Sequence, residues 1–260
     1  MSEVIVVKMG GAAFGGRDTT VTDIVHLQEQ GRQMVIVHGG GSLITGWLAR
    51  QGVATCFIRG ERVTDLPTLE VVTAVLSGLA NKEIVAAINS SGGRAVGISG
   101  VDGALIRGRI TDSELGYVGS VEKVDTALLE ALLQAGYVPV VSPVSLNSAG
   151  GTAGAPQLLN VNGDPAAGEI AAAIGAERLI FLSDVAGVLD RSGALLPRLS
   201  SAEAEALLAS GVASGGMIPK VKACLRALEV ARTAHIIDGT QPHALLKEIE
   251  GHGVGTTIYR

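Results

Sequence analysis

The sequence predicts an α/β fold: a three-layer αβα sandwich around a mainly parallel open sheet. Three observations predict it. Short β-branched runs alternate with segments of helical period along the whole chain, glycine clusters follow the strands, and no repeat or linker-like run interrupts the rhythm. With 260 residues, of which 47% are hydrophobic, the chain has material for a sizeable core and reads as one fold unit with two lobes. Its 36 glycines are about twice the usual share, and many sit directly after strands.

The elements follow in order. Residues 4–7 read as the first strand and 18–30 as a helix, followed by a strand at 34–37 and a helix at 42–50. Further strands are expected at 94–99, 137–141, 178–182 and 235–237, and further helices at 124–134, 165–174, 201–209 and 218–231. The runs at 4–7 and 34–37 are continuously apolar, as strands covered on both faces are. Segments 55–63 and 106–121, rich in β-formers, glycine and charge, read as hairpins near the rim. The stretches 243–248 and 253–256 read as a final helix and an edge strand.

Composition excludes several classes. Lys and Arg total 20 against 25 Asp and Glu, a net charge of −5, and aromatics are 3%, so there is neither a basic footprint nor a stacking platform for nucleic acid. The apolar-rich start before Lys8 is too short for a signal h-region. The uncharged stretch 131–163 is broken by Pro139, Pro143 and Pro156 and cannot span a membrane. A soluble, cytoplasmic chain is expected. Cys56 and Cys224 lack metal or CxxC spacing and read as buried thiols, and the five histidines lack zinc-site spacing. No GxGxxG, Walker A lysine loop, HRD, DFG or GxSxG occurs.

Ligands of open α/β sheets bind beyond the carboxyl ends of the strands. Three unusual loops fall there: Lys8-Met9-Gly10-Gly11, His38-Gly39-Gly40-Gly41-Ser42 and Ser183-Asp184-Val185-Ala186-Gly187. Each alone fits a tight βα turn. Together they point to an anionic ligand, because glycine lets the backbone approach closely and helix-start N–H groups attract anions. Lys8, one of only six lysines, ends an apolar strand, a costly place for a charge unless an anion meets it. Lys220 follows the glycine loop 214–219 and reads as a first-turn lysine. Asp164 reads as a helix N-cap with Pro165 at the first helical position, and Asn160 and Asn162 share one face of an extended segment.

The motifs VVKMGG, VIVHGGG, RGERVT, LLNVNGD, LSDVAGVLD and GGMIPKV occur in this order, and in it the chain resembles the amino acid kinase family, closest to the branch acting on acylated glutamate. The resemblance covers essentially the whole chain, with no departure at a catalytic position. It implies that ATP phosphorylates the side-chain carboxylate of N-acetyl-L-glutamate, giving an acyl phosphate for arginine (ornithine) biosynthesis. Acylated aminoadipate is the rival substrate, one methylene longer, a difference worth only about 1–3 kcal/mol. A carboxylate acceptor is already ionised at neutral pH and needs no general base.

Residue roles come from the same resemblance. Lys8 and Lys220 would flank the transferring phosphoryl group, Asp164 would hold both ammonium groups, and Gly11 with the Gly40 and Gly41 amides would meet developing negative charge. Arg62, Asn160 and Asn162 would bind the substrate, with Gly40 and Gly41 at its reacting carboxylate. An N-terminal lobe of about residues 1–175 would take the acylamino acid, and a C-terminal lobe of about 176–260 would take ATP with Mg²⁺. There the nucleotide contacts would be Asp184, Val185, Ala186, Gly187, Val188 and Leu189, with Val212, Ala213 and Ser214. A homodimer is implied. The ring-forming, arginine-inhibited members carry an extra helix ahead of the first strand, for which three residues leave no room. Insensitivity to arginine is therefore expected, although 243–248 and 253–256 also resemble the C-terminal stretch that contacts arginine in the sensitive members.

Overall fold

A computed structural model of the chain describes residues 3–10, 19–150 and 156–260. It opens with β1 (Ile5–Met9), α1 (Thr20–Glu29), β2 (Met34–His38) and α2 (Gly41–Arg50). A short hairpin follows, β3 (Phe57–Ile58) and β4 (Glu61–Arg62). Next come α3 (Leu66–Thr73), a π-helical stretch Ala74–Ala80 and α4 (Asn81–Ser90), which run on as one helix. The middle of the chain forms β5 (Ala95–Ser99), β6 (Ile106–Ile110), β7 (Val118–Val124), α5 (Ala127–Gln134), β8 (Val138–Ser142), β9 (Val144–Asn147) and β10 (Leu158–Val161). Then follow α6 (Gly163–Ile174), β11 (Arg178–Ser183), β12 (Arg198–Ser200), α7 (Ser201–Ala209), α8 (Met217–Ala227), β13 (Thr233–Asp238), α9 (Ala244–Ile249) and β14 (Gly255–Tyr259).

Eight strands build the central sheet in the order β12-β14-β13-β11-β1-β2-β8-β5. Every pair is parallel except β13 with β14. Apolar runs make this possible, because a parallel sheet covered on both faces has no polar side to spare. Alternation sorts the side chains. Val4, Val6, Val35, Val37, Leu179 and Phe181 face a core shared with α5, α6 and α8, while Ile5, Val7, Met34, Ile36 and Ile180 face one shared with α1, α4 and α9. Helices therefore cover both faces, as the sequence rhythm predicts. The β1–β11 pairing joins the two halves of the chain in one sheet.

Some features differ from the sequence reading. The 106–121 segment is part of more than a rim hairpin: β6 and β7 join β9 and β10 in a small closed barrel. No element was expected at 66–90, yet it is one helix, started by Asp65, whose carboxylate accepts from the Thr68 N–H, and by Pro67 in its first turn. It is the one described helix long and apolar enough to cross a membrane. Val72, Val75 and Leu76 are buried beside α2 instead, and Ile84 and Ile88 lie in the core against β8. Cys56 is exposed rather than buried, because it precedes an edge hairpin with no core face. Cys224 is buried, and burial raises its thiol pKa.

Local signals place the remaining ends. Ser200 and Glu203 form a reciprocal capping box on α7, and Gly175, left-handed at φ 69°, terminates α6. Helices α6 and α8 meet at Gly168, where an added Cβ would stand 2.8 Å from the Ala223 carbonyl oxygen. Gly168→Ala should therefore push the two helices apart and cost about 1–3 kcal/mol of stability. Gly46→Ala, in open space within α2, should instead be neutral or stabilising by up to about 1 kcal/mol. Denaturant midpoints of the two variants check this contrast, and equal midpoints would refute it.

Candidate active site

Three charged side chains converge where β1, α6 and α8 meet. Lys8 lies on the α6–α8 face of β1, because alternation places it in line with Val4 and Val6. Its Nζ is 2.6 Å from Asp164 Oδ1, and Lys220 Nζ, in the first turn of α8, donates to Asp164 Oδ2 at 2.8 Å. Asp164 itself is 4% exposed. Burial alone would raise the pKa of its carboxyl. The ammonium groups of Lys8 and Lys220 outweigh this and hold the group below the ordinary carboxylate range.

Asp164 is free to make these contacts because it does not cap the helix. The cap is Asn162, whose side-chain oxygen accepts from the Asp164 N–H at 3.0 Å, so α6 begins at Gly163 and Pro165 falls at its third position. The sequence expectation was displaced by two residues. Both Asn and Asp are strong caps, and only the fold decides which of them turns toward the lysines.

Beside this triad lies a cavity of about 250 Å³ lined by Lys8, Gly40, Gly41, Arg62, Asn160 and Asn162, together with Phe57 and Leu76. Five elements thus deliver residues read from separate motifs to one space. Arg62 is buried, with its guanidinium 4.7 Å from the Phe57 ring centroid. Its Nη2 donates to the Gly41 carbonyl at 3.0 Å and to Thr45 Oγ1 at 2.9 Å, while Nη1 is buried without a partner. The fork is therefore half used by the first turn of α2. Burial lowers the Arg62 pKa, yet a guanidinium stays charged at any ordinary pH. Asn160 Nδ2 donates to Thr64 Oγ1 at 3.0 Å, and that hydroxyl donates to the Arg62 carbonyl, so Asn160 is braced to the hairpin strand.

A second cavity, of about 530 Å³, opens on the other side of Asp164 between the starts of α6 and α8 and the turn of the β3–β4 hairpin. Arg59 holds that turn by ion-pairing with Asp112 and Glu114.

The loop after β11 is mixed. Asp184, Val185, Ala186 and Leu189 are exposed, whereas Gly187 and Val188 are buried, and the Val188 N–H donates to Thr256 Oγ1 at 2.8 Å. Ala213 is buried, Val212 is half-buried and Ser214 exposed in the α7–α8 connection. Among these nine residues only Ala186 lines one of the described cavities, a separate one of about 390 Å³ beside α9. Gly11 lies outside the described residues.

Two buried polar residues received no role from the sequence, although His38 opens one of the three glycine loops. His38 ends β2 on the face opposite Lys8, and Asn81 opens α4; both are fully buried. Burial, chiefly, lowers the His38 pKa to about 4, so the ring is neutral at physiological pH. The buried end of an apolar strand was the available signal for His38, while Asn81 sits in a segment to which no element was assigned.

The arrangement suits transfer of an anionic group: cations on two sides, glycine amides at one wall, and, among the described residues lining it, no nucleophile paired with a base. The comparisons agree. An acetylglutamate kinase from Dehalococcoides mccartyi is 49% identical over 257 residues, covering 99% of this chain and 94% of that protein. One from Nostoc sp. is 49% identical over 263 residues, covering 98% and 86%. The solved structure of N-acetylglutamate synthase from Neisseria gonorrhoeae, complexed with coenzyme A and N-acetyl-glutamate, superposes with a TM-score of 0.85 at 26% identity over 99% of this chain and 59% of that one. The model of the amino acid kinase family matches residues 3–238. The chain belongs to the amino acid kinase family.

Proposed function

We propose that the chain transfers the terminal phosphoryl group of ATP to the side-chain carboxylate of N-acetyl-L-glutamate, forming an acyl phosphate in arginine biosynthesis. The Lys8–Asp164–Lys220 triad beside the glycine-walled cavity carries this reading, together with the near-full-length relatives named acetylglutamate kinase. One carboxylate oxygen of the substrate attacks phosphorus as the bond to the ADP oxygen breaks. Charge spreads over the oxygens in flight, and Lys8 and Lys220 neutralise it from two sides. Asp164 keeps both ammonium groups in place. The Gly40 and Gly41 amides meet the reacting carboxylate, and the unpaired Arg62 Nη1 with Asn160 holds the α-carboxylate end.

ATP would lie along the C-terminal lobe at residues 184–189 and 212–214. Among the described residues no three His, Cys, Asp or Glu side chains converge, so Mg²⁺ would be held mainly by the phosphate oxygens of ATP, whose charge it offsets. A cytoplasmic homodimer completes the reading, carried by the family resemblance alone. An ADP-release assay comparing N-acetylglutamate, glutamate, aspartate, carbamate and acylated aminoadipate tests it. Turnover confined to one of the other acceptors would overturn it.

Lys8→Ala and Lys220→Ala should each lower kcat by on the order of 10²–10³-fold with smaller changes in KM, and near-normal turnover in either would remove it from the mechanism. Arg62→Lys replaces a fork by a point charge, so KM for acetylglutamate should rise while ATP affinity holds. An unchanged KM would take Arg62 out of the pocket.

The triad also predicts acid sensitivity. Because the folded Asp164 carboxyl has a lowered pKa, its contribution is complete above the unfolded value of about 3.9 and is lost as pH falls through the folded one. The urea midpoint of the wild type should drop between about pH 5 and about pH 3, and Asp164→Asn should show a shallower drop. Identical slopes would refute the assignment.

A further inference from the structure

We propose that His38 is a positioning residue, held by Asn81, that aims the Gly40 amide into the substrate cavity by fixing the Gly39 carbonyl. The identity of the anion met there rests on the functional reading above; the positioning itself does not.

The chain of contacts begins at Asn81. Its Nδ2 donates to the Val140 carbonyl at 2.9 Å and approaches the Ile98 carbonyl at 3.3 Å, while its Oδ1 accepts from Lys82 Nζ at 3.0 Å. Carbonyls on one side and an ammonium on the other allow only one orientation of the amide. The same Nδ2 stands 3.2 Å from His38 Nε2, and because an amide nitrogen cannot accept, a proton on Nε2 would be left without a partner there. His38 Nδ1 then carries the proton and donates to the Gly39 oxygen at 2.9 Å, and a carbonyl there could accept nothing else from the ring. A neutral ring is what the enclosure favours, since two fully buried polar groups are tolerated only when each is satisfied.

The Gly39–Gly40 peptide transmits this choice. In a trans peptide the carbonyl and the following N–H point to opposite sides, so anchoring the Gly39 oxygen against the His38 ring sets the Gly40 N–H away from it. Gly39 N–H donates to the Met9 carbonyl and the Gly40 oxygen accepts from Ile44 N–H, which pins the peptide on both flanks. The Gly40 N–H has no acceptor among the described residues, and Gly39, Gly40 and Gly41 all line the cavity that holds Lys8 and Arg62. The loop also lies close to the ammonium: a Cβ built on Gly39 would be 3.7 Å from Lys8 Nζ. Leu76, from the π-helical stretch that leads into Asn81, packs on Gly40 so closely that a Cβ there would meet it at 2.7 Å. One helical segment thus supplies both the packing on the loop and the amide that sets the tautomer.

Two measurements test this. Long-range ¹⁵N NMR on the wild-type protein should show His38 neutral with its proton on Nδ1; a proton on Nε2 overturns the proposal whatever the substrate proves to be. Kinetics separates the ring positions, because an asparagine amide reaches the δ position of histidine and a glutamine amide the ε position. His38→Asn should keep kcat within about threefold, whereas His38→Gln should lower it by about 10- to 100-fold with KM values little changed, as expected for a misaimed group. Equal losses in the two variants, or losses that follow their melting temperatures, would reduce His38 to a packing residue and overturn the proposal. If wild type fails to phosphorylate acetylglutamate, the functional reading falls and the tautomer decides the positioning. If both variants fail to fold, the tautomer decides it as well.

Discussion

The structure depends on one buried carboxylate between two ammonium groups. Asp164 could not stay ionised at 4% exposure without Lys8 and Lys220, and neither lysine would be well placed in its apolar surroundings without Asp164. Satisfying all three requires the end of β1, the start of α6 and the start of α8 to meet within a few ångströms. The close contact of α6 with α8 at Gly168 serves that end, since any larger residue would widen the gap that the triad must span. Three charges, one negative and two positive, leave the site with a positive excess. That excess is what a transferring phosphoryl group requires.

Strand alternation then divides the labour across the sheet. Lys8 faces α6 and α8 with Val4 and Val6, while His38 faces α4 with Met34 and Ile36. Beta1 and β2 are register neighbours, with Met9 opposite His38, so the ammonium and the imidazole flank the same glycine loop from opposite faces. The loop is thereby held by the core instead of by solvent-exposed contacts, and its amides are preorganised before any ligand arrives. The β3–β4 hairpin closes the remaining side, bringing Arg62 and Phe57 to the cavity and anchoring its turn through Arg59.

Most strands of the sheet, though not its edge strand β12, and most helices were legible in the sequence, because apolar β-branched runs and helical periodicity are local signals that survive without tertiary information. Residue pattern also marked Lys8, the His38–Ser42 glycine loop, Asn160, Asn162, Asp164 and Lys220, while Arg62 stood out only through the family resemblance, and these residues gather around one triad and cavity. The long helix at 66–90 was not legible, since its π-helical stretch shifts the period midway and its apolar positions serve two different cores. The barrel was not legible either, because the pairings that close it, β6 with β9 and β7 with β10, join strands distant in the chain. Packing set Asn162 as the cap of α6 and turned Asp164 toward the lysines, left Cys56 on the surface, and brought Asn81 to His38 across 43 positions of sequence. Where each segment packs depends on contacts between distant positions, and such contacts have no local pattern to announce them.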